Sequence, residues 1–249
     1  MPGASDDARF AAALAHAKAN QGGRIYVPAG AYTLTTRLLL PARSVLVGAG
    51  RDRTTIRWSV VPAAVAPFSA YNPLVAGEPF SPNSVLSLAT FAIEDLTLES
   101  SADFTGNLVL RMSTAETGWI RRATLRIPTP SGSDGRPAAL FLRRVANTLL
   151  DDLVLESPVY CLFARDSISY LRLTGSTLHW RETNVCLGSG THNLLFTGNT
   201  FNLRGDPVSN GWTEMINPNP GFAFTAFYGD RYARDLLWSG NRSTRDDPS

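Results

Sequence analysis

The chain has 249 residues, 44% of them hydrophobic and 18% charged, and its 23 basic and 21 acidic side chains leave a formal charge of +2 at pH 7. This length and apolar content suffice for one domain with a substantial core. The charges are interspersed, and no apolar run approaches the roughly 20 residues of a membrane-spanning helix, so neither nucleic acid nor a membrane is an expected partner.

The first predicted element is a helix over residues 5–20. Ser5 can accept hydrogen bonds from the first amides of this helix, and Asp6 and Asp7 face the positive end of its dipole. The opening stretch "MPGASDD" has neither the apolar core nor the cleavage site of a signal peptide. After the helix, "GGRIYVPAGAYTLTTRLLLP" predicts two strands and "SVLVGAG" predicts a third.

One eight-residue pattern recurs through the rest of the chain. Its copies are "IEDLTLES" at Ile93, "IRRATLRI" at Ile120, "LDDLVLES" at Leu150, "LTGSTLHW" at Leu173, "FTGNTFNL" at Phe196 and "WSGNRSTR" at Trp238. Their starts are separated by 27, 30, 23, 23 and 42 residues. Repeats of this length, each with two short strand-like runs around a small polar turn, are typical of a solenoid. We therefore predict a single domain over 1–249, with long loop insertions at 59–83 and 205–222.

In a solenoid of this kind, matching positions of the repeat form ladders. Each strand lies parallel to its counterpart one turn further along, at about 4.8 Å. The fourth, sixth and eighth positions are mostly apolar and are predicted to point inward. Asn199 and Asn241 occupy the fourth position, where inward amides would hydrogen bond along the stack. We interpret this amide ladder as structural.

The N-terminal segment resembles a known fold family. The stretch "DDARFAAALAHAKANQGGRIYVPAGAYTLTTRLLLPARSVLVGAGRDRTTIRW" is similar to the first module of the pectate-lyase-like superfamily, which includes polysaccharide lyases, glycoside hydrolases and phage tailspikes. The resemblance implies an all-β fold, a single-stranded right-handed parallel β-helix with an N-terminal capping α-helix. It also implies a secreted or cell-surface protein whose partner is a polysaccharide or oligosaccharide.

The activity motifs of that superfamily are incomplete in this chain. "RIP" at Arg126 begins like the Arg-x-Pro-x-x-Arg string of pectate lyases, but Ser131 follows where the second arginine should stand. The "NTDG" and "GHG" motifs of polygalacturonases are absent, and "GSGTH", which ends at His192, is only a faint echo of the second. The resemblance therefore indicates the fold more strongly than the activity.

Two sets of charged residues stack in the predicted solenoid. The second and third positions of three consecutive repeats carry acids, then arginines, then acids, which predicts a charge-balanced structural stack. Its members are Glu94, Asp95, Arg121, Arg122, Asp151 and Asp152. The seventh position points outward on the strand after the turn, where the resemblance implies a substrate groove. That position holds Glu99, Arg126, Glu156, His179 and Asn202, and the ninth adds Arg181 and Arg204.

The outward set has two interpretations, which the sequence leaves open. As a site, it offers Glu99 and Glu156 two turns apart, near the upper edge of the carboxylate separation in inverting glycosidases, or His179 or Arg181 as the base of a uronate lyase. As a structure, it is a solvated ion ladder. The predicted catalytic residues are Glu99, Arg126, Glu156, His179 and Arg181, and the predicted substrate-binding residues are Tyr71, Asn202, Arg204, Trp212 and Glu214.

The leading functional hypothesis is an extracellular enzyme that cleaves a polysaccharide, either a glycoside hydrolase or a uronate lyase. The competing hypothesis is a non-catalytic glycan-binding or structural β-helix, like a segment of a tailspike or adhesin. The last repeat ends without a recognisable cap, which predicts further residues beyond Ser249 or an oligomer formed through that end.

No cofactor is expected from the sequence. Cys161 and Cys186 lie in the similar strands "YCLF" and "VCLG" and are predicted to stack as neighbours, either as a disulfide or as buried thiols. They lack further ligands for zinc. The loop residues Asp134, Asp206 and Asp230 leave calcium open, although no ligand string identifies a calcium site.

Overall fold

In the part of the chain that the structure describes, one helix and a long series of parallel strands form the regular structure. The computed structural model describes residues 4–60, 73–78, 91–100, 108–113, 117–128, 138–158, 160–165, 167–180, 183–187, 190–204 and 234–246. Helix α1 spans Asp6–Ala19, and the Ser5 hydroxyl accepts a hydrogen bond from the Ala8 amide at 3.3 Å, so the predicted helix is confirmed. Across these ranges, no helix has the length and apolar character needed to cross a bilayer.

The described strands recur in eight rungs, where a rung is one turn of the solenoid. Six rungs have three described strands: β1 (Gly23–Tyr26), β2 (Gly30–Leu34) and β3 (Leu38–Leu40); β4 (Ser44–Val47), β5 (Thr54–Trp58) and β6 (Pro73–Gly77); β7 (Phe91–Glu94), β8 (Thr97–Ser100) and β9 (Leu108–Ser113); β10 (Gly118–Arg121), β11 (Thr124–Arg126) and β12 (Ala138–Arg143); β13 (Ala146–Asp151), β14 (Val154–Ser157) and β15 (Tyr160–Arg165); β16 (Ser169–Thr174), β17 (Thr177–Trp180) and β18 (Thr183–Leu187). The last two rungs contribute β19 (His192–Thr197) and β20 (Thr200–Arg204), then β21 (Arg234–Ser239) and β22 (Arg242–Asp246).

Matching strands of successive rungs pair in parallel and build three sheets. Sheet A has the order β1-β4-β7-β10-β13-β16-β19-β21, sheet B the order β2-β5-β8-β11-β14-β17-β20-β22, and sheet C the order β3-β6-β9-β12-β15-β18. The fold is therefore the predicted all-β parallel β-helix with an N-terminal helix. Segment 59–83, predicted as a loop insertion, contains β6, because its run Leu74–Val75 is fully buried and completes the second rung. The other predicted insertion, 205–222, lies outside the described residues.

The core lies between the three sheets and consists of stacked apolar ladders. In sheet B, Ile56, Leu98, Leu125 and Leu155 pair in register on successive strands, and each is fully buried. Burial of a side chain of this size contributes roughly 1.5–3 kcal/mol, so the stacked rungs stabilise one another mainly by apolar contact. This interior sets the register that brings outward side chains into rows.

The corner between sheets A and B contains one left-handed residue in six of the rungs. This corner column comprises Asp95, Arg122, Asp152, Gly175, Gly198 and Gly240, with φ between 47° and 64°. Glycine adopts this conformation without strain and aspartate tolerates it. Arg122 is held there by two hydrogen bonds to the Asp95 carboxylate, Nε to Oδ1 at 2.6 Å and Nη2 to Oδ2 at 2.8 Å. Hydrogen bonding by Arg122 also holds the pKa of Asp95 below its usual value.

The register of the predicted charge-balanced stack is confirmed beside this corner, but Arg121 forms no ion pair with the acids on either side, and its Nε is buried without a hydrogen-bond partner. Glu94, Arg121 and Asp151 pair in register on β7, β10 and β13. Asp152 departs from the prediction in one respect, because its carboxylate forms an ion pair with Arg51 of the second rung, at 2.5 Å. The loop that carries Arg51 thus contacts the corner three rungs further along and ties these rungs together.

The predicted inward amide ladder is also confirmed. Asn199 is 1% exposed, its Oδ1 accepts from the Ser176 amide at 2.9 Å, and its Nδ2 donates to the Leu173 carbonyl at 2.8 Å. The Asn241 Oδ1 accepts from both the backbone amide and the Nδ2 of Asn199, each at 2.8 Å. These bonds satisfy polar groups of three successive corners inside the core, where an unpaired group is costly.

Helix α1 covers the exposed edge strand of sheet B. The Asp6 carboxylate accepts from the Thr33 amide at 2.9 Å. The Asp7 carboxylate accepts from the amides of Thr35 and Thr36 at 3.0–3.2 Å and from their hydroxyls at 2.9 and 2.6 Å. Burial opposes ionisation of Asp7, but these hydrogen bonds outweigh it and hold the pKa of the carboxyl below its usual value. The first turn of the helix therefore closes an edge that would otherwise invite pairing with another chain.

We expect Asp7→Ala to lower the free energy of unfolding by about 2 kcal/mol at pH 7, since four donors lose their acceptor. Because the pKa of Asp7 is lowered on folding, its contribution is present above the unfolded pKa, near 3.8, and is lost as the pH falls through the folded value. Urea unfolding of wild type and variant at pH 7 and at pH 2.5 measures the difference. Asp52→Ala, at an exposed loop position, is the control. An Asp7→Ala difference that is equal at both pH values would contradict the prediction.

Candidate functional site

The outward residues predicted as a site form one continuous row on sheet B. Register pairs Glu99 with Arg126, Arg126 with Glu156, Glu156 with His179, and His179 with Asn202. The predicted stacking of these five residues is therefore confirmed. The row extends upstream to Arg57 on β5, opposite Glu99, and downstream to Thr244 on β22, opposite Asn202. We call Arg57, Glu99, Arg126, Glu156, His179 and Asn202 the sheet B row.

Ion pairs connect the first four members of the sheet B row. Arg57 approaches Glu99 Oε1 with Nη2 at 3.1 Å and donates to it from Nε at 3.2 Å. Arg126 donates from Nε to Glu156 Oε2 at 2.9 Å, and its Nη1 lies 4.0 Å from Glu99 Oε2. Positive and negative groups thus alternate rung by rung, which is the arrangement that the ion-ladder interpretation predicts.

This geometry does not favour Glu99 and Glu156 as a glycosidase pair. The two residues are two rungs apart, about 10 Å at the spacing of parallel strands. An inverting glycosidase needs the space between its carboxyl groups for the sugar and a water molecule. Here the register places Arg126 in that space, and its guanidinium bonds a carboxylate. This arrangement therefore favours a structural role for Glu99 in the ion ladder over a catalytic role.

Glu156 and His179 keep the neighbouring positions on which the lyase hypothesis depends. They pair across β14 and β17, and both side chains are partly buried. Behind them, the Cys161 thiol donates to the His179 carbonyl at 3.0 Å and fixes the backbone of β17 from the core side. A carboxylate one rung from an imidazole can orient it for proton transfer.

A second outward row runs beside the sheet B row and is rich in threonine. Register aligns Thr97 with Thr124, Thr124 with Val154, Val154 with Thr177, and Thr177 with Thr200. Thr97 and Thr124 are buried at 8% and 7% exposure. The row is uncharged from Thr97 to Thr200 and ends at Arg242, which lies opposite Thr200 and donates to its hydroxyl at 3.0 Å.

The remaining predicted site residues are only partly placed by the structure. Arg181, Tyr71, Trp212 and Glu214 lie outside the described residues, as do the loop aspartates considered for calcium. Arg204 lies on β20 directly opposite Asp246 of β22. An acid therefore occupies the matching position on the next rung. The eight-residue repeat stops at Arg245, so the comparison of repeats missed this residue.

The predicted stacking of the two cysteines is wrong. Register places Cys186 opposite Phe163, and pairs Leu162 with Val185, so Cys161 is offset from Cys186 by two residues along the strands. An offset of two residues displaces the two Cα atoms by about 6.6 Å along the strands, in addition to the separation of about 4.8 Å between the strands. The resulting distance between the Cα atoms exceeds the reach of a disulfide. Cys161 is a fully buried thiol that packs in the core.

The alignment of the eight-residue repeats did not include Arg57, which extends the sheet B row by one rung. The stretch "TTIRW" at Thr54 has the same alternation as "LTLES" at Leu96, and that alternation was the available signal. In the described part of the chain, no group of three or more His, Cys, Asp or Glu side chains is arranged to hold a metal ion.

Similarity to known proteins is found at the level of structure. No protein-family model and no curated protein matches the sequence. The ORF18 protein of Geobacillus virus E2 is similar with a TM-score of 0.55 and 15% identity, over 87% of this chain and 41% of that one. The pre-mature gene product 12 of bacteriophage phi29 is similar with a TM-score of 0.56 and 12% identity, over 97% of this chain and 31% of that one.

A third similar structure is the A-module of the Azotobacter vinelandii mannuronan C-5 epimerase AlgE4, with a TM-score of 0.34 and 14% identity over 98% of this chain and 94% of that one. At such identities the similarity concerns the fold alone. This chain spans less than half the length of the two viral proteins. The comparisons support a β-helix and leave membership of the pectate-lyase-like superfamily as a prediction.

Proposed function

We propose that this protein binds a polysaccharide, outside the cytoplasm, along the outward face of sheet B. The observation that carries the proposal is the sheet B row, in which the side chains of Arg57 and Arg126 are 57% and 43% exposed although each bonds a carboxylate. A guanidinium has five N–H donors, so both arginines keep donors that can reach hydroxyl groups of a ligand. The resemblance of the N-terminal module to polysaccharide-handling β-helices supports the same class of ligand.

The balanced charge of the row favours a hydroxyl-rich chain over a dense polyanion. Arg57 and Arg126 offset Glu99 and Glu156, so the row has no excess of positive charge to attract uronate or sulfate groups over distance. Hydrogen bonds to sugar hydroxyls require no such excess. Gel electrophoresis through immobilised neutral and acidic polysaccharides tests the proposal. Retardation by a neutral polysaccharide that Arg126→Gln weakens would support it, and no retardation by any polysaccharide would refute it.

Cleavage is a second candidate, which rests on the neighbouring positions of Glu156 and His179. In this scheme His179 takes the proton from the carbon beside a uronate carboxyl group, and the row arginines stabilise the developing charge. The glycosidic C–O bond at the next carbon then breaks, a C=C bond forms between the two carbons, and the departing oxygen takes a proton from water, as in a lyase. The roles of Arg181 and the other residues outside the described ranges belong to the same proposal.

If the protein is a lyase, Glu156→Gln and His179→Ala should each abolish product formation while the melting temperature changes little, because both side chains lie on the outward face. Unsaturated uronate is measured by its ultraviolet absorbance, and new reducing ends are measured in parallel to detect hydrolysis. Thr244→Ala, at the exposed end of the same row, is the matched control. Binding by the wild-type protein without either product would leave the non-catalytic function.

A further inference from the structure

An open groove of about 490 Å³ lies on sheet A, a different sheet from the proposed polysaccharide face. It crosses the outward side of β13, β16, β19 and β21. One side of it is formed by the second residue of each strand, a set that we call the bulge row: Asn147, Tyr170, Asn193 and Asp235. Because the four strands stack at about 4.8 Å, the row extends over roughly 14 Å.

Every member of the bulge row has a left-handed backbone. Their φ values are 51°, 53°, 55° and 55°. In β13 and β16 the residues on either side pair normally, Ala146 with Ser169 and Thr148 with Leu171, so both strands leave one left-handed residue out of the ladder and neither gains an extra residue. The name bulge row refers to this shared kink. Asparagine and aspartate tolerate this conformation, whereas a bulky aromatic residue there is unusual.

Tyr170 is therefore the residue that needs an explanation. Tyr170 is 57% exposed, so core packing does not account for it. Asn147 and Asn193, on the two neighbouring rungs, have nearly the same φ and show which residue suits this backbone. A residue kept in an unfavourable conformation without a packing benefit points to a role in binding.

The chemistry of the groove selects among ligand classes. Its charged lining residues are Arg172 and Asp235, which offset each other, so it does not attract the phosphates of a nucleic acid. An extended peptide that binds a sheet needs a free strand edge, but β13, β16 and β19 are each paired on both sides. A peptide added to β21, the last described strand of sheet A, would lie beside the groove and not across it. The groove instead combines an exposed ring, the 61% exposed Leu237 and side-chain amides. Apolar surface with a few hydrogen-bonding groups suits a ligand with apolar faces and a hydroxyl rim.

We propose that this groove is a second glycan site, which binds a neutral oligosaccharide stacked on Tyr170 and hydrogen-bonded by Asn147 and Asn193. The ring contacts the C–H face of one sugar, Leu237 extends the apolar floor, and the amides one rung to either side bond the hydroxyls. The site does not depend on the sheet B row, because the two sets of residues lie on different sheets.

The test compares Tyr170→Asn with Tyr26→Asn. Tyr26 is also on sheet A and is 63% exposed, but it lies on β1, five rungs away from Tyr170. Binding is measured by calorimetry and by retardation in gels that contain laminarin, xylan, galactan or mannan, with alginate and pectate for comparison. We expect Tyr170→Asn to weaken binding to a neutral glycan at least tenfold and Tyr26→Asn to leave it unchanged. Tyr170→Asn should also melt no lower than the wild type, because asparagine suits this backbone.

Other outcomes overturn the inference. The inference is refuted if the wild type and Tyr170→Asn bind the glycan equally. It is also refuted if a lower melting temperature of Tyr170→Asn accounts for its weaker binding, or if the protein binds alginate and pectate alone. A change of oligomeric state in Tyr170→Asn would assign the groove to contact with a second copy. Arg126→Gln separates the two proposals. If Arg126→Gln loses binding and Tyr170→Asn does not, the result supports the sheet B site and refutes the groove. If Tyr170→Asn loses binding and Arg126→Gln does not, the result supports the groove and refutes the sheet B site.

Discussion

Replacement of Asn199 by alanine is expected to lower the free energy of unfolding by about 3 kcal/mol. Asn199 is 1% exposed, and its side chain bonds the Ser176 amide, the Leu173 carbonyl and the Asn241 side chain. Alanine removes all of these hydrogen bonds together. The Ser176 amide is then left without its acceptor in the core, where an unpaired donor costs about 1–3 kcal/mol. The smaller side chain also leaves a cavity. Urea unfolding followed by circular dichroism measures the change.

Two other asparagines test whether the loss arises from the buried ladder. Asn241, on the last described rung, is half-buried, so Asn241→Ala should cost less than Asn199→Ala. Asn147 is exposed and left-handed, so Asn147→Gly should stay within about 0.5 kcal/mol of the wild type. Equal losses for Asn199→Ala and Asn147→Gly would mean that the inward hydrogen bonds contribute little.

The sequence predicted the rows on sheets A and B because, in the six repeats, the chain between these sheets has a constant length. Each repeat joins its two strands by a corner of two residues, the left-handed residue and the inward residue that follows, such as Asp95 and Leu96. Variation in the length of a rung falls elsewhere, so matching positions cannot slip against each other. For this reason Glu99, Arg126 and Glu156 could be aligned correctly from the letters alone.

The register of sheet C could not be predicted in the same way. The chain between sheets B and C varies in length, from two residues before β15 and before β18 to fourteen residues before β6. The links before β15 and β18 are equal, so the 23-residue spacing of β14 and β17 continues into sheet C. The similar letters in "YCLF" and "VCLG", 25 residues apart, suggested instead an alignment that is two residues out. The apolar pair Leu162 and Val185 sets the true register by facing the core.

The groove on sheet A was missed for another reason. Its bulge row lies three residues before the start of each repeat, and Asn147, Tyr170, Asn193 and Asp235 share a backbone conformation rather than a polarity pattern. Apolar periodicity does not report a left-handed backbone. The recurrence of asparagine and aspartate at this position was the available signal, since both residues favour such a conformation.

Gly48→Ala is expected to lower the free energy of unfolding by about 3 kcal/mol or more, which corresponds to a fall in melting temperature of about 6–12 °C. A Cβ at Gly48 would lie 2.2 Å from the Asp95 carbonyl oxygen, 2.7 Å from Leu96 Cβ and 2.9 Å from Thr54 Cβ. The oxygen belongs to the backbone and cannot move away alone. The amides of Gly48 and Gly50 bond the carbonyls of Glu94 and Asp95, both at 2.9 Å, so a shift that relieves the clash breaks the contact between the second and third rungs.

Gly175 provides the matched control, because it occupies the same corner of a later rung for a different reason. A Cβ at Gly175 would meet nothing within 4 Å, but its φ of 56° is left-handed. Gly175→Ala should therefore cost only the conformational penalty of about 1–2 kcal/mol, without any steric term. Thermal unfolding of both variants separates the two effects. If Gly175→Ala is the more damaging substitution, backbone conformation and not close approach of the rungs determines the need for glycine at this corner.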